Sequence, residues 1–256
     1  MNHLFDLSGR VALVTGSAAG GLGQRAATVL SEAGATVALA DLVERKDALE
    51  KTAAECPGPT SQHSCDVAVE ASVIALMDRV IAAHGRLDCL VNAAGVMLRK
   101  KVGDTAVEEF EHVVRVNLTG SWLLGREAGR RMSAGAAGRI INISTVYAER
   151  VGPIPESAYY SSKAGVANLT RALAAEFGPL GITVNCLAPG VFYPTSMTAA
   201  LSDQPEQLEW FSQRTMLGRL GDPSSDLDGA LLLLASGASA YITGQVLYVD
   251  GGWSAW

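Results

Sequence analysis

Long apolar runs are missing from this sequence. The aliphatic stretch Leu231–Leu234 is far too short to span a bilayer, and the opening Met1–Arg10 carries Asp6 and lacks a sustained apolar core. No membrane association, anchor or secretory leader is therefore expected, and a cytoplasmic protein fits. A basic excess is missing too. Twenty Lys and Arg stand against 26 Asp and Glu, a formal net charge of −6, and no basic run exceeds Arg99-Lys100-Lys101, so nucleic acid is not an expected partner. Cysteine and histidine are sparse. Cys56, Cys65, Cys89 and Cys186 lack C-x-x-C spacing, and three lie in or beside strand-like runs, where a free thiol behaves as a small buried hydrophobe. His3, His63, His84 and His112 are scattered without ligand spacing, so no metal site is expected. What is there is a 256-residue chain, 48% hydrophobic and 18% charged, sufficient for one domain over residues 1–256 with a sizeable core.

Short apolar runs alternate with longer amphipathic stretches. Strands are expected at Val11–Val14, Thr36–Ala40, Ser61–Cys65, Leu87–Val91, Arg139–Ile143, Ile182–Leu187 and Val246–Val249. Between them the pattern predicts helices at Leu22–Ala33, a stretch ending near Glu55, Glu70–Ala83, Val107–Met132, Ser157–Phe177 and Asp226–Ala235, with an irregular segment from Pro189 to Asp222. Such alternation implies an α/β fold: a doubly wound parallel sheet with helices on both faces and right-handed crossovers. Its ligand crevice should lie beyond the carboxyl ends of the strands, where strand order reverses.

The turn after the first strand, Thr15-Gly16-Ser17-Ala18-Ala19-Gly20-Gly21-Leu22-Gly23, is rich in glycine. Glycines there let a backbone approach a pyrophosphate and aim it at a helix N-terminus, where unpaired N–H groups and the helix dipole favour negative charge. Asp41, eighteen residues past Gly23 at the end of the second strand, is placed to accept hydrogen bonds from an adenosine ribose and to repel a 2'-phosphate. No arginine stands in the glycine loop or just after Asp41, so NAD is the expected cofactor rather than NADP.

Tyr159 and Lys163 stand four apart in an expected helix and so project from one face. A free phenol, with a pKa near ~10, is too weakly acidic to work as a base at neutral pH, and a nearby ammonium would favour the phenolate. The pair is a candidate proton-transfer device.

Taken together, the glycine turn, Asn92-Ala93-Ala94-Gly95, Asn117 within Val-Asn-Leu-Thr-Gly, Tyr159-x-x-x-Lys163, Pro189-Gly190 and Asp250-Gly251-Gly252 resemble the short-chain dehydrogenase/reductase family over essentially the whole chain. The resemblance implies a single Rossmann-like domain with a seven-stranded sheet, a nicotinamide cofactor, a homotetramer, and a catalytic tetrad carried here by Asn117, Thr145 in the serine position, Tyr159 and Lys163. It also implies cofactor contacts at Gly16, Ser17, Gly21, Leu22, Gly23, Asp41, Asp66, Val67, Asn92, Gly95, Tyr159, Lys163, Pro189, Gly190 and Thr195. The implied activity is interconversion of a secondary alcohol and a ketone, on a sugar, sugar acid or polyol. A 3-ketoacyl-thioester reductase and a non-catalytic dinucleotide sensor are the alternatives. Asp41 disfavours the NADPH usual in the first, and the second has no need of Tyr159 and Lys163 together.

Three departures from the family pattern stand out. The glycine turn has one residue more, with either Gly20 or Gly21 at the second glycine position; Ser144 directly precedes Thr145; and one residue is inserted between Pro189-Gly190 and Thr195. After Gly95 comes Val96-Met97-Leu98-Arg99-Lys100-Lys101, which resembles the basic segment of gluconate 5-dehydrogenases and 2-deoxy-gluconate dehydrogenases. Arg99, together with Arg150 and Ser144, is therefore a candidate substrate contact for an anionic sugar derivative, since a guanidinium can engage two carboxylate oxygens at once. The other reading of this basic segment is a solvated loop face or a subunit contact.

Overall fold

The computed structural model describes residues 3–132 and 137–255. Seven strands, β1 (Val11–Thr15), β2 (Thr36–Asp41), β3 (Thr60–Ser64), β4 (Cys89–Asn92), β5 (Arg139–Ile143), β6 (Thr183–Pro189) and β7 (Val246–Val249), form one parallel sheet in the order β3-β2-β1-β4-β5-β6-β7. Burial explains the order. β1, β4, β5 and β6 are buried at every position and lie inside the sheet, whereas the polar β3 (Thr-Ser-Gln-His-Ser) forms one edge.

Side chains alternate across the pleat, so each strand feeds two cores. Ala12 and Val14 join Val37, Leu39, Ile141 and Leu187 beneath α1 (Leu22–Glu32), α2 (Lys46–Glu55) and α8 (Asp228–Ala235). Val11 and Leu13 join Ala38, Leu90 and Val184 beneath α3 (Glu70–His84), α5 (Gly120–Arg131) and α6 (Ser157–Phe177).

Two helical expectations change. The stretch read as one helix from Val107 divides into α4 (Val107–Val114), a π-helical turn (Arg115–Thr119) and α5. The wider turn brings Asn117 fully inside, where it binds the backbone after β4 instead of presenting a smooth apolar face. The segment expected to be irregular contains α7 (Pro205–Gln213), with proline at its first position, where a missing N–H costs nothing.

Strand order reverses beside β1. The chain runs outward from β1 through β2 to β3, then returns to place β4 on the other side. The loops leaving β1 and β4 therefore diverge and open a crevice at the carboxyl end of the sheet.

Candidate active site

The glycine loop forms one wall of this crevice. A Cβ at Gly23 would overlap the Gly16 carbonyl oxygen, so only glycine lets α1 start this close to the end of β1. The additional residue is taken up at Gly20, which is exposed with φ +107°. Its N–H donates to Gln24 Oε1 at 2.7 Å, and its carbonyl accepts from the Ser196 amide at 2.6 Å. Gly21 is then the extended residue that caps α1, and Gly21-Leu22-Gly23 keeps its register.

Asp41 sits at the tip of β2. Its two oxygens accept from the amides of Ala18 and Leu42, each at 2.9 Å, which aims the carboxylate and leaves lone pairs for other donors. No arginine stands in the glycine loop or directly after Asp41, but the fold brings one to the cleft from farther along the chain. Arg45, four residues on, turns back, donates to the Ala19 carbonyl at 3.1 Å and lines the same cleft as Asp41.

On the opposite wall, Tyr159 and Lys163 occupy the first two turns of α6, 6% and 4% exposed. The Lys163 ammonium donates to the Ile143 carbonyl at 2.8 Å and stands 5.9 Å from the centre of the Tyr159 ring. Burial lowers its pKa to about 8. Burial first, then the Glu156 charge, raises the phenol of Tyr159; hydrogen bonding with Thr145 and the charge of Arg99 oppose the rise. The expected acidification of Tyr159 by Lys163 is thus not met in this arrangement, because the ammonium is turned to a strand carbonyl and burial holds the phenol neutral.

Asn117 lies behind this pair. Its Oδ1 accepts from Val96 N at 2.8 Å, and its Nδ2 donates to the Val96 carbonyl and to Ser162 Oγ, both at 2.9 Å. A Cβ on Gly95 would stand 3.2 Å from Asn117 Oδ1 and 3.5 Å from Lys163 Nζ, so the two groups converge on one glycine. Thr145 and Ser144 both line the cleft, but the Ser144 hydroxyl donates to the Lys163 carbonyl at 2.8 Å.

A single cleft of about 790 Å³ joins Gly16, Gly21, Leu22, Gly23, Asp41, Asp66, Val67, Gly95, Arg99, Ser144, Thr145, Tyr159, Lys163, Pro189, Gly190 and Thr195. Four expected residues stand outside it: Asn117, wholly buried behind the Tyr159–Lys163 pair, and Ser17, Asn92 and Arg150. The Ser17 hydroxyl is wholly buried between the Ala40 N–H and C=O, and buried Asn92 donates to Asn142 Oδ1 at 2.8 Å. Arg150 faces a separate open hollow beside Tyr160 and Trp253, donating to the carbonyls of Glu149 and Ser254. Sequence reading missed Glu156, whose buried carboxylate lines the cleft three residues before Tyr159, and Phe211, which α7 brings to the rim. The apolar Leu208, Phe211 pair in α7 was the available signal for the second; Glu156 had none.

The residues present fit a dinucleotide. The cleft is of ligand-site size and runs past a helix N-terminus to a carboxylate, and the buried hydroxyl of Thr15, which lines it, has no protein partner. The sequence pattern of the family described as Enoyl-(Acyl carrier protein) reductase matches residues 16–254. The chain is 38% identical to the cis-4-hydroxycyclohexanecarboxylate dehydrogenase of Sinomonas cyclohexanicum, over 96% of this chain and 97% of the relative. It is 36% identical to the D-threitol dehydrogenase of Mycolicibacterium smegmatis, over 98% and 95%. A gluconate 5-dehydrogenase of Burkholderia cenocepacia, solved with NADP and tartrate, superposes with a TM-score of 0.91 at 36% identity, over 98% of each chain. Fold, cleft and relatives define an alcohol–ketone oxidoreductase that uses a nicotinamide dinucleotide. The chain belongs to the short-chain dehydrogenase/reductase family.

Proposed function

We propose that this protein is an NAD-dependent dehydrogenase of a secondary alcohol on a sugar, sugar acid or polyol, with Tyr159 as general acid and base. The observation that carries the reading is that Thr145, Tyr159 and Lys163 share one cleft with the glycine loop and Asp41. The relatives support a hydroxylated substrate while differing in charge, one named for a carboxylate and another for a neutral tetritol.

The loop Gly16–Gly23, Asp41, Asp66, Val67, Gly95, Lys163, Pro189, Gly190 and Thr195 would hold the cofactor. When bound, its nicotinamide accepts or returns the hydride and brings a positive charge that favours the phenolate. Tyr159 takes the carbinol proton in oxidation and donates it in reduction, and the Thr145 hydroxyl orients the substrate oxygen. Lys163 relays the proton toward Asn117, whose hold on Val96 and Ser162 fixes that end of the path. NAD is favoured by Asp41, whose charge opposes a 2'-phosphate. Exposed Val107, Phe110 and Trp122 on α4 and α5 support a homo-oligomer, in line with a tetramer, and four free buried cysteines are consistent with a reducing cytoplasm.

The test is a panel of secondary alcohols with NAD, followed by absorbance of the reduced cofactor. Tyr159→Phe should lower kcat by ~100-fold or more with the dinucleotide still bound. Tyr160, whose hydroxyl donates to the Ile154 carbonyl and faces the outer hollow, is the control. Equal losses at the two tyrosines would remove the assignment.

A further inference from the structure

Arg99 reaches two different segments from the loop after β4. Its Nε donates to Glu156 Oε1 at 2.9 Å, at the entry to α6, and its Nη2 donates to the Met197 carbonyl at 3.1 Å, in the segment after β6. The same segment is tied on its other side, since the Ser196 amide donates to the Gly20 carbonyl. Residues 195–198 therefore cross the cleft as a strap, anchored at the glycine loop and at Arg99. The Lys100 amide also donates to the Pro155 carbonyl at 2.8 Å, which pins Arg99 beside Glu156.

In the loop after β4 the charges that face the cleft are matched within the protein, and the other basic groups on this wall are His112 of α4 and Arg115 of the π-helical turn, which also line the cleft. Glu156 is 3% exposed and faces Arg99; the Lys100 ammonium is bound by Glu109 at 2.7 Å and 2.9 Å; Lys101 is exposed and does not line the cleft. An incoming carboxylate that took the Arg99 guanidinium would leave Glu156 buried and unpaired, a strongly unfavourable exchange, and would meet a like charge beside Tyr159. A hydroxyl faces no such conflict, because it can donate to Glu156 with the ion pair intact.

Building on the dehydrogenase reading, we propose that Arg99 and Glu156 act as one specificity-determining pair: Arg99 latches the strap over the substrate end, and the matched charge selects uncharged hydroxylated substrates over carboxylates. Arg99 is then a positioning residue and not the receptor of a substrate anion.

The experiment compares kcat/KM for glucitol and gluconate, and for threitol and threonate, with NAD and with NADP. Wild type should favour the neutral member of each pair by at least ~10-fold. Glu156→Gln removes the negative charge and frees the guanidinium, so the neutral-to-anionic ratio should move toward the anion by at least ~10-fold. Arg99→Met should raise KM for both members alike and should speed hydrogen exchange at the Ser196 amide, with Arg99→Lys recovering part of each change. A wild type that prefers the carboxylates, with Arg99→Met or Arg115→Met removing only that activity, would overturn the pair's role and leave the dehydrogenase reading standing. An unchanged ratio in Glu156→Gln would also overturn it. Absence of turnover with every alcohol and both cofactors would instead overturn the dehydrogenase reading, and this inference with it.

Discussion

The Ser144 hydroxyl donates to the backbone carbonyl of Lys163, joining the end of β5 to the second turn of α6 at 2.8 Å. This bond separates two adjacent hydroxyls. Ser144 holds the helix that carries Lys163, and Thr145 is left facing the Tyr159 phenol. Thr145→Ser should retain activity within a few-fold, and Thr145→Ala should lower kcat by ~10-fold or more. Ser144→Ala should cost about 1 kcal/mol of stability, the worth of one buried hydrogen bond, with the smaller loss of activity. Steady-state kinetics and urea melts of the three variants check the ranking; the reverse order would exchange the roles.

Lys163 is buried with its pKa lowered from 10.5 to about 8, so the folded protein binds its proton less tightly than the unfolded chain does. The resulting destabilisation is fully present below about pH 8 and fades as pH rises toward 10.5. A shift of this size corresponds to about 3 kcal/mol. Relative to Lys163→Met, the wild-type protein without cofactor should therefore gain about 2 kcal/mol between pH 7 and pH 9.5 in denaturant unfolding. A difference independent of pH would show that the ammonium is not desolvated as the structure places it.

Asp41 and Arg45 bring opposite charges to the same end of the cleft, and Asp41 is the one aimed by two backbone amides. Wild type should prefer NAD over NADP by at least ~10-fold in kcat/KM, and Asp41→Asn should shrink that ratio by removing the repulsion of a 2'-phosphate. Adding Arg45→Ala to Asp41→Asn should cost NADP more than NAD. Equal use of both cofactors by the wild type would count against Asp41 as the selecting group.

Much of this architecture was legible before any coordinates, for a local reason. Val11–Thr15 and Thr36–Asp41 show their strand character in runs of apolar neighbours, and Tyr159 and Lys163 show theirs in a spacing of four. Gly16, Gly23 and Asp41 could be read similarly, because each is tied to an element boundary a few residues away. The tertiary structure decided the rest. Arg45 turns back onto the glycine loop, Arg150 swings out of the cleft, and Arg99 finds Glu156 across 57 residues of chain. None of these follows from spacing, since a long side chain on a loop takes whichever partner packing brings within reach. The sequence by itself determined the sheet, its crevice and the Tyr–Lys pair through short-range periodicity and backbone stereochemistry. Which charges meet in that crevice, and so what it can recognise, was decided only when distant segments packed together and desolvation made their pairing necessary.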